Sequence, residues 1–274
     1  MRAILLPLLL ATCVLTLPAL ASERCEHQRK ESPVLDLAGV KRVVISINAD
    51  TLSLVSGRPA LSVTHCASSE REAKESRIEI ARRGDTLHVS SRDSKIIEVR
   101  GLVSMDIYLS RRIDLSLPPS LPVTLDVSAG NALVSGMEDV SVDLGSGDVH
   151  LSTVGAVRAN VGSGDLLLEN IASIDGLSSG SGDIVVRRVG GDVRGVEVGS
   201  GDIAMDGVAG NVAVDDVGSG DVRLHGIAGN VTLGAIGSGN VKLDDVGGDV
   251  VVASKDLLEN VDIRRVRGRI LVDR

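Results

Sequence analysis

The sequence of 274 residues has no Phe and no Trp, and Tyr108 is its single aromatic residue. Globular cores lean on aromatic bulk to fill thick interiors, so a core of Val, Leu, Ile and Ala is a thin one. Without aromatic rings the chain has nothing to stack bases or sugars and no girdle for an outer-membrane barrel. Nucleic acid, stacked carbohydrate and barrel roles are therefore disfavoured. An excess of basic charge is also missing: 29 Lys and Arg face 37 Asp and Glu, a formal net charge of −8 spread along the chain. That balance opposes electrostatic capture by anionic lipid or nucleic acid.

Long apolar runs are absent apart from Ala3 to Leu20, which Pro7 and Pro18 interrupt. Met1-Arg2 precedes this run, the small-x-small site Ala19-Leu20-Ala21 ends it, and the charged stretch Ser22 to Lys30 follows. This is the pattern of a secretory signal peptide over residues 1–21. The run is barely long enough to span a bilayer and no stop-transfer pattern follows, so the chain is not read as an integral membrane protein. Leu10-Ala11-Thr12-Cys13 is a poor lipidation site, with Thr where a small residue belongs. Cleavage after Ala21 removes Cys13 and leaves Cys25 and Cys66. An even pair in an exported chain permits one disulfide, worth about 3–4 kcal/mol in the chain-entropy model; the alternative is two buried or free thiols.

Glycine is abundant, with 31 copies, and much of it falls in one repeated tetrad. Gly145-Ser146-Gly147-Asp148 recurs as Gly162-Ser163-Gly164-Asp165, Gly180-Ser181-Gly182-Asp183, Gly199-Ser200-Gly201-Asp202, Gly218-Ser219-Gly220-Asp221 and Gly237-Ser238-Gly239-Asn240, at spacings of 17, 18, 19, 19 and 19. A degenerate copy, Ser128-Ala129-Gly130-Asn131, lies 17 residues earlier. A second turn signal falls between the late tetrads: Gly191-Asp192, Gly210-Asn211, Gly229-Asn230 and Gly248-Asp249. One repeat is thus two short strands and two tight turns. Val222, Leu224 and Ile227 follow one turn and Val231, Leu233 and Ile236 the other, with Arg223, Thr232 and Lys242 outward. Val-x-Leu alternation and β-branched enrichment give strands with one buried face. The Gly and Asx residues are expected to supply positive φ and local side-chain hydrogen bonds at the reversals.

A unit of about 19 residues cannot bury its own apolar face, so it stacks on its neighbours about 4.8 Å apart. The expected fold is all-β: a parallel β-helix or β-solenoid, with right-handed crossovers the common hand. Residues 126–274 carry the regular repeat and residues 22–125 an irregular, β-rich set of coils and cap. In that segment the strand signals are Val43 to Ile47, Thr51 to Leu54, Leu61 to Thr64, Ile78 to Ile80, Thr86 to Val89 and Met105 to Leu109, with Ser68 to Lys74 read as a solvated loop. At the other end, Asn260 to Arg274 departs from the repeat and carries Arg264, Arg265, Arg267, Arg269 and Arg274, a charged cap on the last coil.

Gly-Ser-Gly-Asp-Val alternating with a mid-repeat Gly-Asx-Val, behind a signal peptide and a β-rich leader, resembles the bacterial β-strand-repeat family of exported domains labelled "putative adhesin". The resemblance covers roughly Val34 to Arg274 and is most specific over Gly145 to Val252. It implies a right-handed parallel β-helix on the envelope side of the membrane and brings no catalytic motif.

The candidate chemical site is the column Asp148, Asp165, Asp183, Asp202 and Asp221, continued by Asn240. Carboxylates stacked about 5 Å apart either bond turn amides or are neutralised by cations. A calcium ladder is the second option, but Asn131 and Asn240 at equivalent positions point to turn geometry. His27, His65, His88, His150 and His225 fall in no metal spacing. Gly-Ser-Gly is not the Gly-x-Ser-x-Gly elbow of hydrolases, and no helix follows the glycines to aim at a phosphate. No catalytic residue, cofactor or resident metal is expected. The first functional expectation is a non-catalytic binding or structural module of the envelope, in the periplasm, at the surface or secreted, whose partner is an envelope or surface protein or glycan. The alternatives are a periplasmic sensor module and, with less support, a glycan-active β-helix enzyme.

Overall fold

A computed structural model of the protein describes residues 25–91 and 109–272. The signal peptide over residues 1–21, Tyr108, Arg274 and most of the Met105 to Leu109 segment lie outside the described residues. The fold is an all-β solenoid of about eight turns.

One coil shows how the repeat becomes structure. Val212–Val217 runs along the first face, and Gly218 to Asp221 turn the chain. Val222–Ile227 returns along the second face, and Gly229-Asn230 turn it again into Val231–Ile236. Each strand lies parallel and in register on its equivalent one coil away: Val212 on Val231, and Val222 on Val241. Two parallel ladders result, joined by a Gly-Ser-Gly-Asp edge and a Gly-Asx edge. In the early coils Asp148–Val161 and Asp165–Ser179 bend round from the second face to the first without a break. Val222, Leu224, Ile227, Val231, Leu233 and Ile236 all point inward and are buried, and one contiguous core of such aliphatic residues runs from Val43 to Val252. The interior is thin, as a chain without aromatic bulk requires.

The tetrad glycines have a different cause from the one the sequence suggests. None of them, and none of Gly191, Gly210, Gly229 or Gly248, has a positive φ. A Cβ on the second glycine of each tetrad would instead strike a backbone oxygen of the preceding coil, at 1.7 Å for Gly147, 2.0 Å for Gly164, 1.9 Å for Gly182, 1.8 Å for Gly220 and 1.9 Å for Gly239. Close stacking, not reversal of the chain, demands glycine there. The turn amides point the same way, since Gly218 N donates to Val198 O at 2.7 Å and Ser219 N to Gly199 O at 2.8 Å.

Chain order and stacking order part company at the N-terminal end. Arg42–Ile47 lies between Thr86–Ser91 and Val123–Val127, and Thr51–Ser56 lies between Leu109–Leu117 and Asn131–Ser135. The coil that comes first in sequence is therefore the second in the stack. Three antiparallel strands close this end: Ala60–Ala67 on Leu109–Leu117, His27–Glu31 on Ala60–Ala67, and Ile78–Arg83 on Thr86–Ser91. They cover edges that an open parallel stack would expose. The loop expected over Ser68 to Lys74 is largely a short helix, Glu70–Glu75. Ser69 caps it, its hydroxyl accepting from Glu72 N at 3.2 Å, an N-terminal signal that overrides the polar composition.

Candidate functional site

The Asp column is the most regular polar feature of the molecule. Asp148, Asp165, Asp183, Asp202 and Asp221 line up at the start of the second-face strands, coil above coil. Their side chains bond across coils and not within their own turns. Asp183 Oδ1 accepts from Asp202 N at 2.9 Å, Asp202 Oδ1 from Asp221 N at 2.9 Å and Asp221 Oδ1 from Asn240 N at 3.2 Å. Asn131 Oδ1 accepts from Asp148 N at 3.2 Å in the same way. The next step breaks the series, because Asp165 N turns to Gly147 O at 3.2 Å. A second ladder climbs the Gly-Asx edge: Asp192 Oδ1 accepts from Asn211 N at 2.8 Å, Asn211 Oδ1 from Asn230 N at 2.9 Å, and Asn230 Oδ1 from Asp249 N at 2.8 Å. Asp and Asn serve equally because only an acceptor oxygen is needed.

These bonds set the acidity of the column. The amide of Asp221, with the Arg223 guanidinium, holds the Asp202 carboxyl below its ordinary value of 3.8. The Asn211 amide does the same for Asp192, and the guanidinium and amide of Arg269 do it for Asp249. Arg223 spans two coils, donating to Asp202 and to Asp221 at 3.0 Å each. Among the described residues no group of three or more His, Cys, Asp or Glu is arranged to hold a metal ion.

A third column gives no sequence signal. Gly136, Thr153, Asn170, Arg188, Gly207, Gly226, Asp245 and Arg265 all have φ in the left-handed region, one in each successive coil. Three are Gly and the other five are Thr, Asn, Asp or Arg, so no single residue type marks the column in the sequence. Each bends its second-face strand after the inward Val-x-Leu pair. Two residues further on stand Gly155, Ala172, Gly190, Ala209 and Ala228, all small. Between the two columns lies a trench of about 850 Å³ lined from Pro119 and Gly136 to Gly226 and Ala228, with Val154, Ile171, Val189 and Val208 at its floor. At one end the Arg267–Asp245 pair, 3.6 Å apart, closes the same columns.

The terminal arginines read as a cap also extend the solenoid. Val261–Val266 and Ile270–Val272 stack on the preceding coil, and Arg265, Arg267 and Arg269 reach back to Asp244, Asp245 and Asp249.

A cluster in the N-terminal cap brings together a serine, a histidine and a carboxylate. His65 Nδ1 lies 2.7 Å from Ser76 Oγ and His65 Nε2 lies 2.9 Å from Glu31 Oε1. Arg29 binds Glu31 at 2.6 Å and the Ala73 carbonyl at 2.8 Å. Burial pushes the His65 imidazole down, with Arg29 and Arg111 adding to it against the opposing bond from Glu31. Burial alone would raise Glu31, but the bonds from Arg29 and His65 outweigh it and hold the carboxyl below its ordinary value. His65 is fully buried and Ser76 only 6% exposed, so a substrate has no path to the hydroxyl, and the cluster is a buried structural network. Beside it, Cys25 and Cys66 have Cα atoms 5.3 Å apart, within the range a disulfide spans. Arg111 and Asp50 form a second buried pair at 2.9 Å.

No helix among the described residues is long and apolar enough to cross a membrane. No curated protein matches the sequence. Similar solved structures cover 90% of this chain at low identity. A "putative adhesin" from Parabacteroides merdae is 12% identical, with 97% of its own chain covered and a TM-score of 0.51. A "putative lipid binding protein" from Parabacteroides distasonis is 13% identical, with 94% covered and a TM-score of 0.48. A "putative adhesin" from the same species is 12% identical, with 98% covered and a TM-score of 0.49. At such identity the likeness to the Parabacteroides merdae protein speaks for the fold alone, and it agrees with the resemblance read from the tetrads. The Toastrack DUF4097 family model matches residues 41–274, from the first coil of the stack to the last, and the chain belongs to that family.

Proposed function

We propose that this chain is an exported, non-catalytic binding module of the cell envelope, and that its trench is the surface that receives the partner. The single observation carrying this reading is the trench itself, about 850 Å³ and continuous across six coils. Coils rise about 4.8 Å apart, so the trench is roughly 25 Å long. Its floor is aliphatic and one rim is Gly and Ala, which leaves backbone close to any occupant on that side, while the other rim mixes Gly with Thr153, Asn170 and Arg188. A chain with no Phe or Trp lacks the rings that hold sugars, so an extended segment of an envelope or surface protein suits the trench better than a glycan. The apparent signal peptide and the solenoid resemblance support the exported setting.

Filling the trench tests this. Ala172→Arg with Ala209→Arg places long side chains across its middle without touching the core. Capture of an envelope protein by the native chain, and its loss with the double variant at unchanged thermal midpoint, is the expected result. Equal capture by both would end the trench reading. In the same proposal the Asp column serves the coil edge and Cys25 is bridged to Cys66. Calcium and then excess chelator should leave the unfolding midpoint where it was, and the pair should resist alkylation until reduced.

A further inference from the structure

Backbone strain marks one stretch of the trench. In the left-handed column Gly136, Gly207 and Gly226 hold their conformation without steric penalty. Three consecutive coils between them carry side chains instead: Thr153 with φ 55°, Asn170 with φ 55° and Arg188 with φ 60°. Asn tolerates that region, but Arg visits it rarely, and for a β-branched residue such as Thr it is a true outlier. Glycine fills the same position elsewhere in the column, so the fold itself does not call for these side chains. Strained residues gather where ligands are held, and all three line the trench.

The donors along this rim fix the chemistry of the occupant. Arg188 Nε donates to Asn170 Oδ1 at 2.7 Å, which leaves the Asn170 Nδ2 hydrogens and the outer guanidinium nitrogens of Arg188 to donate further. One coil below Asn170, the Thr153 hydroxyl has no bonding partner among the described residues. Charge points the same way. Glu169 is shared by His150 at 3.1 Å, Arg187 at 3.2 Å and Arg188 at 3.9 Å, one carboxylate for two guanidiniums. The next carboxylate along that outward column, Asp206, bonds His225 at 2.8 Å. A surplus positive charge therefore stands at the rim, in a chain whose net charge is −8. Donors gathered at a guanidinium suit a carboxylate, which accepts at two oxygens at once. The facing rim is Gly and Ala from Gly155 to Ala228, but three coils from Arg188 it opens with the exposed Glu138. Three steps of about 4.8 Å set the two charges roughly 14 Å apart along the stack, the span of about four extended residues.

We propose that the trench takes an extended peptide segment of fixed charge order: an Asp or Glu side chain set against Thr153, Asn170 and Arg188, and a Lys or Arg side chain about four residues away set against Glu138. This rests on the trench reading and adds to it the chemistry of the occupant and the residues that select it.

About seven extended residues match the roughly 25 Å of the trench, so a phage-displayed library of random heptapeptides is the probe. Panned on the native chain, it should enrich peptides with an acidic residue and a basic one three to five positions away. A synthetic copy of an enriched peptide should bind at least tenfold more weakly to Arg188→Gly and to Asn170→Gly than to the native chain. Arg188→Glu should enrich peptides in which a basic residue replaces the acidic one. Thr153→Gly should also weaken binding while keeping or raising the thermal midpoint, because it removes strain. A lower midpoint in that variant would mean that the side chain serves the fold, and would overturn the proposal. Peptides that are lost on filling the trench with Ala172→Arg and Ala209→Arg, but carry no acidic residue or bind Arg188→Glu unchanged, would overturn it and leave the trench reading standing. Peptides indifferent to the filling, or no enrichment at all, would overturn both.

Discussion

At Gly220 a Cβ would lie 1.8 Å from the carbonyl oxygen of Gly201, which belongs to the backbone of the preceding coil and cannot swing aside. Gly220→Ala should therefore destabilise by about 1–3 kcal/mol, as overpacking does. Gly207, with φ +76 and nothing nearer than 3.9 Å, stands in the column where Asn170 holds the same conformation. Gly207→Asn should stay within about 0.5 kcal/mol of the native chain, and urea denaturation of both variants checks the contrast. Positive φ alone would rank the two glycines the other way. Asp202 gives the second test. Asp202→Ala leaves the Asp221 amide without its acceptor and should cost about 0.5–1.5 kcal/mol, whereas Asp202→Asn keeps the acceptor and should lose less than half of that. Because Asp192, Asp202 and Asp249 are held below 3.8 in the folded chain, unfolded carboxyls take up protons first as pH falls through that value. The ladder's contribution is full well above pH 3.8 and is lost on acidification below it. Stability measured at pH 5 and pH 3 should drop less in Asp202→Asn than in the native chain. The alignment of the column was legible in the sequence, where Asn131 and Asn240 at Asp positions pointed to turn geometry; its reach across coils was not, because no side-chain type reports the neighbour it bonds.

The elements divide by how much of them could be read. Repeating strands announced themselves through Val-x-Leu alternation between fixed turns, and that periodicity carried the solenoid. The cap had no period to offer. Arg42–Ile47 and Thr51–Ser56 read as strands, yet nothing in them says that they slot between Thr86–Ser91 and Val123–Val127 on one face, or between Leu109–Leu117 and Asn131–Ser135 on the other. Ser76 and Glu31, the partners of His65, lie 11 and 34 residues from it, so the network could not be found by spacing. It has a pH signature. His65 is held below 6.5 in the fold, so the unfolded chain binds its proton first, and the cap's stability is full above pH 6.5 and declines as pH falls below it. Amide hydrogen exchange across His27–Glu31 and Ala60–Ala67 should quicken between pH 7 and pH 5.5, beyond the intrinsic pH effect. His65→Gln should flatten that change. Reduction of the cysteines should release His27–Glu31 first, since the closed loop of 41 residues is worth about 3–4 kcal/mol in the chain-entropy model. Exchange that is uniform across the chain after reduction would mean that the cap is not a separable element.

As a whole the molecule is a one-dimensional stack in which each coil touches only the coils beside it, so stability should be close to a sum of coils and the interfaces between them. Excision makes this concrete. Removing residues 202–220 deletes one 19-residue coil and joins Gly201 to Asp221, which rebuilds an unbroken Gly-Ser-Gly-Asp turn. Ile184–Val189 then meets Val222–Ile227, and Val193–Val198 meets Val231–Ile236; both members of each pair already stack on the strand removed between them. Asp183 Oδ1 faces the Asp221 amide as it faced that of Asp202, and the core row Ile184, Val186, Val189 meets Val222, Leu224, Ile227 with the same inward spacing. The shortened chain should keep its β circular dichroism per residue and unfold cooperatively. Its midpoint should fall by roughly 2–4 °C for each kcal/mol the coil contributed. Loss of β structure would mean that the coils are not interchangeable and that the cap, or a particular coil, nucleates the rest.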